Sequence, residues 1–215
     1  PWDITRARAE FRASFDQAVP SGSTIDANLS SVAFAFERIG SAPVISDDLA
    51  AIQSAKHVIL PGVGSAPYAM AKIRDKGLIE TLQSLTQPVL GICLGMQLLF
   101  ETLYEGETVT KGLGMIPGNI TRLDTHGAPA PHMGWNQLQI LRESPLLSGI
   151  ADDAYAYFVH SYAAPAGTYT LASSSYGQTF SAVIQHKNVY GCQFHPERSS
   201  QTGARILKNF LDINA

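Results

Sequence analysis

The chain has 215 residues, 45% of them hydrophobic, which is enough for one large domain or at most two small ones around a continuous core. Only 15% are charged and the formal net charge is -3, which excludes a basic nucleic-acid surface and a disordered chain. Two cysteines, Cys93 and Cys192, match neither a disulfide framework nor a paired metal site, and the histidines lack metal-ligand spacing. With apolar runs far short of the ~20 residues of a bilayer span and no secretion signal at the start, a cytoplasmic protein without metal or cofactor is expected.

In chain order, residues 1–24 stand apart. Ile4, Ala7, Arg8, Phe11 and Phe15 suit one amphipathic helix, which Pro20 to Ser23 then breaks, and no opening strand is evident. Residues 25–215 read as one domain. Leu29, Val32, Ala33 and Phe36 fall on one helical face after a possible Asn28 cap, with Gly40 as a stop signal. Strands are expected over residues 43–46 and 57–60, the second ending in Pro61-Gly62-Val63-Gly64, and over 88–92. Met96, Leu99, Phe100 and Leu103 then repeat the helical spacing. Beyond Pro117 come strand-like runs at 155–160, 169–172, 180–185 and 189–194, which either form hairpins or extend the sheet, and Leu207, Phe210 and Leu211 mark a last helix. The fold class is α/β: a mostly parallel central sheet flanked by helices, with an additional antiparallel β portion.

Gly91-Ile92-Cys93-Leu94-Gly95 places a cysteine where an apolar strand stops and a helix starts. A cysteine in an apolar run is ordinarily a small core hydrophobe. Here a glycine at two residues' distance on each side suits a tight strand-to-helix turn, on which a nucleophile takes a strained backbone and its neighbours must be small. The helix start would favour thiolate over thiol, and the Leu94 N–H would face a developing oxyanion. Gly191 to Glu197 then offers a base: His195 ends a strand, and Glu197, two residues on across a stiff Pro196, is within reach of the same imidazole. Cys192, inside that strand, reads as packing.

With these residues in hand, the sequence resembles the class I glutamine amidotransferases, whose nucleophile and base motifs match residues 88–97 and 193–197. More narrowly it is similar to the glutaminase subunits of imidazole glycerol phosphate synthases, through residues 60–64, 112–118, 131–136, 157–162 and 195–200. The resemblance covers residues 25 to 212 or so. It implies a Cys93–His195–Glu197 triad, an oxyanion hole from Gly62, Val63, Gly64 and Leu94, and glutamine contacts from Gln97, His160, Ser161 and Tyr162. It further implies a heterodimer with a (β/α)8-barrel cyclase met through Asn28, Met133 and Trp135, to which ammonia is delivered in histidine biosynthesis. Alternatives are the glutaminase of another amidotransferase or a non-catalytic partner-binding scaffold.

The sequence departs from the family at its start. Ser23 to Leu29 keeps an Asp, Asn28 and Leu29 but lacks the glycines and most of an apolar strand. Either residues 24–28 are a short substitute for that strand or an N-terminal helix covers the gap.

Overall fold

The computed structural model describes residues 11–13 and 24–214. An eight-stranded sheet runs through the molecule, built from β1 (Phe11–Ala13), β2 (Pro43–Ile45), β3 (His57–Gly62), β4 (Val89–Cys93), β9 (Gln139–Ile140), β12 (Thr170–Tyr176), β13 (Gln178–His186) and β14 (Val189–Cys192). Their order is β2-β1-β3-β4-β14-β13-β12-β9. The first five are mutually parallel and the last three are joined antiparallel.

The parallel strands are apolar on both faces because both are covered. Val58 and Leu60 of β3 and Val89 of β4 enter one core, with Met70, Ile73 and Leu82. Ile59, Leu90 and Ile92 enter the other, with Val32, Phe36, Phe158, Phe194 and Phe210. The covering helices are α1 (Thr24–Arg38), α2 (Leu49–Ser54), α3 (Ala66–Asp75), α4 (Leu78–Gln83) and α6 (Ser200–Asp212). None of the described helices is long and apolar enough to cross a membrane.

Three expectations are corrected. A single helix over Ile4 to Phe15 fails at Phe11–Ala13, which form a strand between β2 and β3; the rest of that segment lies outside the described residues. The sheet therefore reaches back across the boundary drawn at residue 25, and residues 24–28 are not a substitute strand. They open α1 instead, so Asn28 is inside a helix and not its cap, there being no Gly or Pro among Thr24 to Ala27 to stop it. Last, the helix after Cys93, α5, covers only Leu94–Leu98. Phe100 and Leu103 belong to β5 (Phe100–Glu105), and both are buried from a strand whose pairing slips between Phe100 and Thr102, which imitates a helical spacing.

β5 lies in a four-stranded sheet, β11-β7-β5-β6, with β6 (Thr108–Lys111), β7 (Ile116–Arg122) and β11 (Tyr162–Ala163). A separate ribbon pairs β8 (His132–Gln137) with β10 (Tyr155–His160) antiparallel. The carboxyl ends of β3, β4 and β10 and the segment after β14 converge on one edge of the main sheet, where open α/β sheets bind ligands.

Candidate active site

Cys93 ends β4 at φ 54°, ψ -114°, a conformation that costs a non-glycine residue free energy and persists only where its surroundings enforce it. The surroundings are close. A side chain on Gly91 would put its Cβ 2.5 Å from Met96 Cα, and one on Gly95 would lie 1.7 Å from the Leu60 carbonyl oxygen. The two glycines thus let α5 descend onto β3 and β4 and turn the chain back at Cys93. With five residues α5 carries little of the dipole that the sequence reading assigned to it; the free N–H groups of its first turn are what remains.

His195 follows β14, which pairs in parallel with β4, Gly91 opposite Gly191 and Ile92 opposite Cys192. Its backbone N–H donates to the Tyr157 carbonyl at 2.9 Å, tying it to β10. His195 Nδ1 lies 2.7 Å from Glu197 Oε1, and the ring also interacts with Cys93. Glu197 sits in one 3-10 turn (Pro196–Arg198) clamped from both ends. Ser199 Oγ donates to the His195 carbonyl at 2.7 Å, and α6 presses so closely that a Cβ on Gly203 would meet the Pro196 carbonyl oxygen at 1.8 Å.

Burial pulls the His195 proton affinity down, but hydrogen bonds and opposite charge from Cys93 and Glu197 outweigh it and push the imidazole up to about 10 from 6.5. A protonated His195 imidazole is therefore favoured at rest. A raised folded-state value stabilises the fold fully below 6.5, and that stabilisation is lost as pH rises through about 10. The urea midpoint is therefore expected to fall between pH 7 and pH 10 by more in the wild type than in Cys93→Ala, where one of the two groups that raise the imidazole is gone; equal slopes would contradict the Cys93 contribution. Cys192, fully buried, has its thiol raised by burial and by the Glu197 charge, which leaves it inert.

Cys93 and His195 open on a cleft of about 480 Å³ that Val63, Gly64, Leu94, Gln97, His160, Ser161 and Tyr162 also line. Gly62 does not line it; it pairs with Cys93 across β3 and β4 and packs under Leu94 and Gly95. Gln97 is buried, its amide donating to the Tyr162 carbonyl at 2.9 Å and to Gln193 Oε1 at 3.0 Å. Among the lining residues not expected from the sequence is Glu105, the only carboxylate among the described residues of the wall, whose Oε1 accepts from the Ala66 N–H at 3.0 Å. No local signal marks it, because it ends a strand whose start reads as a helix.

Beside the cleft, the β8–β10 ribbon turns an apolar face outward. Met133, Trp135 and Tyr155 are 62%, 51% and 53% exposed, and Trp135 stands edge-on to Tyr157. Such a patch fits a protein contact better than open water. Asn28 lies on α1, and its side chain is outside the described ones.

Comparison with known proteins agrees with this architecture. The glutamine amidotransferase class-I family matches residues 28–213. The chain is 52% identical over 197 residues to the imidazole glycerol phosphate synthase subunit HisH of Shewanella loihica, covering 88% of each chain. It is 49% identical to the HisH of Vibrio cholerae, covering 87% of this chain and 94% of that one. The glutaminase domain of Trypanosoma brucei CTPS superposes with a TM-score of 0.63 over 97% of this chain and 95% of that one; at 13% identity this speaks for the fold alone. The chain belongs to the class-I glutamine amidotransferases, within the HisH subunits of imidazole glycerol phosphate synthase.

Proposed function

We propose that the chain hydrolyses glutamine to glutamate and ammonia with Cys93 as nucleophile, His195 as base and Glu197 as its orienter, and delivers the ammonia to a cyclase subunit. The observation that carries this reading is a strained Cys93 turn sharing one cleft with His195, whose Nδ1 is held by a buried Glu197. The Cys93 thiolate attacks the side-chain amide carbon. The tetrahedral oxyanion accepts from the Leu94 N–H and from the N–H groups of Val63 and Gly64. Its collapse expels ammonia with a proton from His195 and leaves a γ-glutamyl thioester; His195 then takes a proton from water, which attacks the thioester and frees glutamate and Cys93.

Glutamine's α-ammonium group finds the Glu105 carboxylate, and its other end groups meet Gln97, Ser161, Tyr162 and the wall at His160. Met133, Trp135 and Tyr155 would seat the partner, a (β/α)8-barrel cyclase forming a heterodimer in the cytoplasm. The alternative reading as a scaffold explains neither the strained cysteine nor the raised imidazole.

Glutamate release measured with and without that cyclase and its nucleotide ligand tests the proposal. Turnover is expected to be low for the chain alone and to rise on adding both. Retained cyclase binding with no glutamate under any condition would leave a scaffold; full activity without a partner would remove the coupling.

A further inference from the structure

We propose that His132 and Asn136 are positioning residues for the glutamine pocket, holding its His160–Tyr162 wall through one directed chain of hydrogen bonds that starts on strand β8. The inference rests on the glutaminase reading and extends it to residues outside the cleft lining.

The direction of the chain follows from its last member. A carbonyl cannot donate, so His160 Nδ1, 2.9 Å from the Tyr162 carbonyl oxygen, carries the hydrogen. Both imidazoles are neutral, because burial holds His160 down to about 3 and His132 to about 4. A neutral His160 then has a bare Nε2, and His132 Nδ1, 3.0 Å away, must donate to it. His132 Nε2 is bare in turn and accepts from Asn136 Nδ2 at 3.3 Å. The Asn136 amide cannot flip without loss, since Nδ2 also donates to the Ser175 carbonyl at 2.9 Å and Oδ1 accepts from the Gln137 N–H at 2.8 Å. Every proton on the path is assigned, and both rings are Nδ1–H tautomers.

The rings have little room to turn. His132 lies face to face with Tyr176 at 4.2 Å and with Phe158 at 5.0 Å, and it pairs directly across the ribbon with His160. At the far end the Tyr162 carbonyl also receives Gln97, whose amide reaches Gln193, itself 4.0 Å from Cys93 Sγ. Strand alternation sets the origin: His132 and Asn136 face inward on β8, while Met133 and Trp135, between them in sequence, face solvent. A shift of that outer face therefore moves the donor on which the pocket wall depends.

Two measurements on the complex with the cyclase test this. Nitrogen NMR of the wild type is expected to show Nδ1–H in both His132 and His160; an Nε2–H form in either ring overturns the chain. In glutaminase kinetics, His132→Phe, which keeps the ring stack but not the donor, is expected to raise the glutamine KM about tenfold with kcat within about twofold, as expected when binding common to ground and transition states is lost. His132→Asn, whose amide nitrogen can stand in for Nδ1, is expected to restore most of that KM. Wild-type KM in His132→Phe, or an equal rise in both variants, overturns the positioning role. A wild-type complex with the Nδ1–H pattern that releases no glutamate instead overturns the glutaminase reading, and leaves the tautomers standing.

Discussion

Cys93→Ala is expected to lower glutamate release by the cyclase complex at least about 10⁴-fold, the scale on which a nucleophile's loss is felt when base and oxyanion donors remain. Nothing else in the cleft can replace the thiolate. Ser161 and Ser65 also line it, but neither stands on a strained strand-to-helix turn, and Cys192 is sealed in the core with its thiol suppressed. Glutamine binding, followed by calorimetry, is expected to persist, because the contacts proposed for its end groups do not involve Cys93. Cys192→Ala serves as the contrast: it removes one buried sulfur from a packed strand, and its activity is expected to stay near that of the wild type. A Cys93→Ala complex that retained more than about a hundredth of the rate would place the nucleophile elsewhere.

The largest effect on stability is expected from Gly95→Ala. The added carbon would fall 1.7 Å from the Leu60 carbonyl oxygen and 3.0 Å from the Pro61 carbonyl carbon, both backbone atoms of a strand in the middle of the sheet. Neither side can yield as a flexible side chain would. Separating them means lifting α5 off β3, and with it Leu94, Met96 and Leu98, which are fully or nearly buried in the core below. We expect a loss of more than about 3 kcal/mol in urea unfolding, the upper part of the range for overpacked sites. A variant within about 1 kcal/mol of the wild type would mean that the helix does not sit as close as described.

What can be read from the sequence follows the range of the forces involved. The Cys93 turn is legible because its demand for small neighbours is local, and His195 and Glu197 are legible because one turn joins them. β3 and β4 announce themselves as apolar runs bounded by Gly and Pro, as strands buried on both faces do. Phe11 to Ala13 are not legible as a strand, since three residues cannot display an alternation and the apolar residues around them fall at helical spacing. Glu105 and His132 are hidden for another reason. Each gains its place from partners far along the chain, Ala66 for one and His160 for the other, and no local pattern encodes such a meeting. Gln97 shows the same limit: helical spacing puts it on the face of Cys93, but only the fold reveals that it is buried between Tyr162 and Gln193.

The pairing of β4 with β14 also bears on how the chain acquires its chemistry. The two strands are neighbours in space yet separated in sequence by the whole four-stranded sheet, the β8–β10 ribbon and the β12–β13 hairpin. Closing so long a loop is entropically costly and comes late where topology governs folding. The cysteine turn is built from β3, β4 and α5, whereas His195, its proposed base, is positioned only when β14 pairs with β4. A chain in which β14 has not yet paired is therefore expected to hold the Cys93 turn without His195 beside it.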